Sequence, residues 1–360
     1  MDTKSVGVLG EIDAGLEAGA SDWQFKGGEP CHVRIHGRIA RLGQSPLAAP
    51  HLQAVARSAL GASALIPKDL DAAFEYRGEY FRFHSYSAEG VFCFNLRHIP
   101  SAIRDLDSLS VPRAFRDAVL ACPRGLVLVT GSSGSGKSTT IAAAIDHLNR
   151  SRPGVILTFE DPIEFRHRNQ LGLVRQMEKG RDFTSFPDAL RGALRSDPDT
   201  LLVGEMRDGE TIAAAITAAE TGHLVLGTMH CATARDAVSR IVDACLGNRA
   251  AEVRGQLAKN LVAVLAQQLV PSLDGRRTAA FELMLPTPGV RNLIADPAGK
   301  CGLLPNEIAT GSAHGMVSMD QSLEDLCRKR IIDRAQALRF AFNPAGLGPL
   351  PGASRAGPPA

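Results

Sequence analysis

Aromatic side chains are scarce in this 360-residue chain, which has one Trp and three Tyr. A protein that tracks single-stranded nucleic acid needs aromatics for base stacking beside a basic groove. No Lys/Arg run here is interleaved with aromatics, so no nucleic-acid partner is expected. No apolar run approaches the roughly 20 residues of a membrane span, and the opening MDTKSVGVLGEID introduces acids early; a cytoplasmic protein is expected. Neither sign of charge prevails, since 40 Lys and Arg against 38 Asp and Glu leave +2, removing any global reason to bind polyanions. The seven cysteines include no C-x-x-C pair, which argues against structural zinc and for reduced thiols.

What is present is apolar material, 44% of residues, enough for two or three cores. Over residues 1–100, period-two stretches such as HVRIHGRIARL and YFRFHSYSAEGVFCFNLRHI predict short strands in a small α+β domain. Residues 101–123 carry polar turns and Pro112 and read as a linker. Residues 124–342 then alternate apolar strands (LVLVT, VILTF, TLLVG, LVLGTM) with helix-compatible segments, the pattern of a parallel sheet covered on both faces. The tail, 343–360, is Pro, Gly and Ala with few large apolar side chains and is expected to be unstructured.

One loop carries chemistry. Gly131-Ser132-Ser133-Gly134-Ser135-Gly136-Lys137-Ser138 fits G-x-x-x-x-G-K-[ST] between the strand LVLVT and a helical segment opening at Thr139. Glycines there let backbone N–H groups converge on phosphate oxygens, and the helix N-terminus adds positive potential. Ser133, Gly134, Ser135, Gly136, Lys137, Ser138 and Thr139 are the expected ATP contacts, with Lys137 on the β- and γ-phosphates and the Ser138 hydroxyl on Mg²⁺. The strand Leu201-Leu202-Val203-Gly204 ends in Glu205, placed to contact Mg²⁺ through water or to polarise an attacking water.

GSSGSGKSTT, ILTFEDPIEF and ALRSDPDTLLVGEMRDGETIAAAITAAETGHLVLGTMH, in that order, resemble the phosphate-loop, acidic, second-acid and histidine motifs of the type IV pilus and type II secretion ATPases. AGASDWQF near the start is similar to that family's A-S-D opening, and Gly289-Val290-Arg291-Asn292-Leu293-Ile294 resembles an R-N-L-I stretch of its PilT-like retraction branch. Trp23-Gln24 departs from the apolar-His pair common at that place, and Ser132-Ser133 from a commoner Pro-Thr.

The resemblance implies a RecA-like P-loop ATPase core with a parallel sheet, preceded by a smaller α+β PAS-like domain. It further implies a homo-hexamer with ATP between subunits, docked peripherally at the inner-membrane pilus machinery on its platform protein, with other pilus motor ATPases as further partners. Pilus retraction and twitching motility are the implied function; pilus assembly, conjugation or type II/IV secretion is the alternative.

Of the three acids after VILTF, Asp161 precedes Pro162 and shapes the turn, Glu160 assists the Mg²⁺ water shell, and Glu164 matches the family's essential acid as general base or water-orienting group. Either Glu164 or Glu205 can orient the water, because phosphoryl transfer needs positioning and charge compensation more than a strong base. His230 ends its strand where ligands gather in open α/β sheets and matches the γ-phosphate-sensing histidine, whereas His223 reads as structural. No core motif offers an obvious guanidinium. Arg82 and Arg97 match arginines that reach a nucleotide, and Arg113 is a weaker candidate. Asp208 reads as the N-cap of a helix from Gly209 to Thr221.

Overall fold

The computed structural model describes residues 5–35, 37–60, 65–99, 102–245 and 250–347. These fall into two compact units, one formed within Met1–Ala102 together with Glu164–Arg166, the other within Ile103–Ile163 and His167–Ala360.

The first unit begins with helix α1 (Ser5–Glu17), strands β1 (Ala20–Lys26), β2 (His32–Ile35) and β3 (Arg38–Arg41), and helix α2 (Ala49–Leu60). Strands β4 (Leu70–Tyr76), β5 (Glu79–Ala88) and β6 (Val91–Ile99) complete an antiparallel sheet of order β3-β2-β1-β6-β5-β4. Alternation in β5 buries Phe81 and Phe83 and leaves Arg82 and His84 on the opposite, polar face. Trp23 is fully buried in this core, edge-on to Phe81, and its indole N–H donates to Glu11 O at 3.0 Å. The indole abuts Gly15 so closely that a Cβ there would overlap it, so the Trp departure at this position is matched by a glycine on α1.

The second unit runs α3 (Arg113–Ala121), β7 (Gly125–Thr130), α4 (Lys137–Ser151), β8 (Gly154–Glu160), β9 (Gly172–Glu178), α5 (Phe186–Ala193), β10 (Thr200–Val203), α6 (Gly209–Glu220) and β11 (Leu224–Met229). It continues with α7 (Ala234–Ala244), α8 (Ala250–Asn260), β12 (Leu261–Pro271), β13 (Arg277–Met284), α9 (Pro288–Ala295), α10 (Leu304–Thr310), α11 (Met319–Arg328) and α12 (Arg334–Phe340). The sheet order is β13-β12-β7-β11-β10-β8-β9, parallel except for the β12–β13 pair. Its central strands are apolar on both faces because helices cover both, so β7 and β11 are buried along their whole length. Residues 103–123, read from sequence as a linker, belong to this unit: α3 turns Phe115 and Val119 into the same core as Val127 and Val129. Of the tail expected to be unstructured, Pro344–Gly346 forms a short 3-10 turn and Leu347 is buried, while residues 348–360 lie outside the described residues. All seven cysteines are free thiols.

Candidate active site

Strand order does most of the work of assembling the site. In the sheet, β7, β11, β10 and β8 are consecutive parallel neighbours, so the residues at or just beyond their C-terminal ends meet along one edge. These are the loop at 131–138, His230, Glu205 and Glu160, and ligands gather at such an edge in open α/β sheets.

The loop is held open by glycine. Gly134 and Gly136 adopt left-handed backbone (φ +76° and +91°), and Gly136 is the N-cap of α4, with no side chain capping the helix. The N-terminus of α4, which no side chain caps, thus presents its positive dipole end to an anion. Lys137 is buried, and its ammonium donates to Gly131 O and Ser132 O, both at 2.9 Å, which curls the loop around it. Thr130 Oγ1 and Ser135 Oγ are buried without a hydrogen-bond partner in this cradle. A buried cation, uncapped amides and unpartnered hydroxyls form a donor set suited to nucleotide phosphates, and the Ser138 hydroxyl, one residue beyond Lys137, is the oxygen suited to Mg²⁺.

Glu205 and His230 meet: His230 Nε2 lies 3.2 Å from Glu205 Oε1. Burial, then the nearby Lys137 charge, pushes the His230 pKa below its ordinary value while Glu205 opposes the shift, so the site favours the neutral imidazole. Arg207 Nε contacts the same Glu205 oxygen at 2.5 Å. The core motifs thus contain a guanidinium at Arg207, contrary to the expectation from sequence that none offers an obvious one. Glu282 on β13 accepts the Ala234 N–H at 2.7 Å and so fixes the start of α7 just after His230.

The acidic segment divides. Glu160 Oε1 accepts from Thr158 Oγ1 (2.6 Å) and Gln176 Nε2 (3.0 Å). Asp161 precedes Pro162 through a cis peptide and pairs with Lys179 at 2.9 Å. Glu164 is exposed, makes no hydrogen bond or ion pair among the described residues, and groups with the first unit.

Arg82 and Arg97 lie directly opposite one another on β5 and β6. Like charges in that arrangement repel, and two acids offset them: Asp22 takes Arg97 Nε at 2.7 Å, and Asp71 lies 3.6 Å from Arg82 Nη2. With Gln24, His84 and Asn95 they line a cleft of about 330 Å³. Arg113 is exposed and pairs with Asp117 at 3.7 Å. His223 Nδ1 contacts Ala218 O at 3.0 Å, a structural tie, and Asp208 caps α6 by accepting the Thr211 N–H at 2.8 Å.

A residue that sequence reasoning missed is Gln267 on β12, buried, whose Nε2 donates to Ser135 O in the loop at 2.5 Å. The available signal was a polar pair interrupting the apolar run LVAVLAQQLVP.

A phosphate loop on a central parallel strand, with an acid and a histidine from the next two strands converging on it, defines a P-loop ATPase. The family described as Type II/IV secretion system protein matches residues 89–311, and the chain belongs to that family. It is 41% identical over 333 residues to the type IV pilus retraction ATPase PilT of Pseudomonas aeruginosa, covering 91% of this chain and 95% of that one. A twitching motility protein of Neisseria gonorrhoeae is 39% identical over 334 residues, covering 91% and 88% of the two chains. A crystal structure of the pilus retraction motor PilT with bound ADP matches with a TM-score of 0.83 at 37% identity, covering 94% of this chain and 98% of that one.

Proposed function

We propose that this chain is the subunit of a hexameric, Mg²⁺-dependent ATPase motor that drives type IV pilus retraction and with it twitching motility. The observation carrying the reading is the convergence of Lys137, Glu205 and His230 at the ends of β7, β10 and β11, in a chain similar along nearly its whole length to a pilus retraction ATPase.

In this reading, Ser133 to Thr139 hold the nucleotide phosphates, and Lys137 leaves Gly131 O and Ser132 O for the β- and γ-phosphate oxygens. Ser138 and, through water, Glu205 would hold Mg²⁺, which when bound would supply compensation for the charge developing on the phosphates. Glu160, with Oε1 taken by two donors, orders the surrounding water rather than binding the ion directly. Glu205 or Glu164 orients the attacking water. His230, 3.2 Å from Glu205, reports the presence of the γ-phosphate. Arg82 and Arg97 supply guanidinium charge to the transferring phosphoryl. The ring is cytoplasmic and docks on the inner-membrane platform protein of the pilus, with other pilus motor ATPases as further partners; no helix among the described residues is long and apolar enough to cross a membrane itself.

Deleting the gene and scoring surface pili together with surface motility tests this function. More pili with no motility is the expected result. Bald cells would overturn retraction in favour of assembly, and normal pili with a secretion defect would favour an export motor.

A further inference from the structure

Gln267 touches both ends of the phosphate loop. Its backbone oxygen lies where a Cβ on Gly131 would approach to 2.5 Å, and its side-chain nitrogen lies 3.0 Å from where a Cβ on Gly136 would sit. The register explains this reach: β12 runs parallel to β7 with Ala266 opposite Thr130, so the next residue of β12 stands beside the loop that leaves β7. The carboxamide is 2% exposed, and its nitrogen donates to Ser135 O. Only an N–H donor satisfies a carbonyl oxygen, so the amide orientation is determined, and Oε1 is left buried without a partner.

The consequence lies one atom along the chain. Ser135 and Gly136 share a trans peptide, in which the carbonyl and the following N–H point in opposite directions. A Gln267 amide that holds Ser135 O toward β12 therefore turns the Gly136 N–H away from β12, to the open side of the loop. No acceptor among the described residues takes that N–H. Gly136, in left-handed backbone with φ +91°, is otherwise free to rotate this peptide, since glycine alone imposes little preference there.

We propose that Gln267 is a positioning residue of the nucleotide site: by clamping the Ser135 carbonyl it presets the Gly136 N–H as a donor to the phosphate chain of a bound nucleoside di- or triphosphate. The inference rests on the reading of residues 131–138 as the phosphate-binding loop. Because the preset donor serves the ground state as well as the transition state, its loss is uniform, raising KM and leaving kcat nearly unchanged.

The test titrates the full chain with a fluorescent ADP analogue and measures ATP turnover for the wild type, Q267M, Q267E and K137A, each checked by thermal unfolding. Q267M keeps length and loses the donor; it is expected to weaken ADP binding and raise the KM for ATP by about tenfold each, with kcat within about threefold. Q267E, which sets a carboxylate against the Ser135 carbonyl, is expected to bind ADP no better than Q267M. Wild-type ADP affinity in a folded Q267M would overturn the inference, and so would a fall in kcat with KM unchanged. If Q267M fails to fold, Q267N, which withdraws the amide by one methylene, carries the same expectation. K137A distinguishes the two levels: ADP binding lost in K137A but intact in Q267M sinks only the role of Gln267, whereas intact binding in K137A sinks the reading of the loop.

Discussion

Glu205 Oε1 lies 3.2 Å from His230 Nε2 and 2.5 Å from Arg207 Nε, so the acid following β10 and the histidine following β11 form one unit. Glu205→Gln keeps the shape and removes the charge. It is expected to lower kcat roughly 100-fold or more while ATP still binds. His230→Ala, which breaks the same pair, is expected to lower kcat by about tenfold or more. If the two act together, the double variant falls no further than Glu205→Gln alone, a non-additivity that steady-state kinetics reads directly. Independent, multiplying effects would separate the residues.

Among the described residues Glu164 makes no hydrogen bond or ion pair, so its substitution is expected to leave the fold untouched. Glu164→Gln should unfold within a few degrees of the wild type and still bind ATP. Hydrolysis should drop about 100-fold if this acid orients the water. Near-normal turnover would assign that role to Glu205 alone.

Asp22 is buried, accepts Ser21 Oγ at 2.7 Å, and pins Arg97 Nε while most of the Arg97 side chain remains exposed. An arginine anchored at Nε offers its two outer nitrogens to an anion. Arg97→Ala is expected to reduce kcat by about 100-fold, in line with an arginine that stabilises the transferring phosphoryl, with ATP affinity changed little. An unaltered kcat would reduce Arg97 to a partner of Asp22 within its own sheet.

His167 gives the protein an acid limit. Burial alone pushes its pKa down to about 4 from an ordinary 6.5, and its Nδ1 is enclosed without a partner. Because the folded pKa is the lower one, the unfolded chain binds the proton first. The associated stability is complete above about pH 6.5 and is lost as pH falls toward 4. With the ring partly open to solvent, about 2 kcal/mol should disappear between pH 7 and pH 4.5. Urea unfolding of the wild type and His167→Phe at the two pH values measures it, and equal pH dependence in both would refute the assignment.

Much of this was legible beforehand, for reasons that are local. The phosphate loop is a contiguous pattern whose glycines, lysine and serine each answer a requirement of phosphate binding. Continuous apolar runs such as LVLVT and LVLGTM announce strands buried on both faces, and Asp208 could be read as a cap because capping reaches only three residues. Segment 103–123 misled because its polar turns outweighed the two apolar residues, Phe115 and Val119, that carry it into the core.

By itself, the sequence determined which residues are chemically able to bind a nucleotide, since that ability resides in short motifs and in the strand-helix alternation that presents them. Tertiary structure alone decided who meets whom. His230 reaches Glu205 only because β10 and β11 are neighbours in the sheet, and Gln267 reaches Ser135 across 132 residues only because β12 lies in register beside β7. Strand order and register are properties of the assembled sheet, and no local preference encodes them.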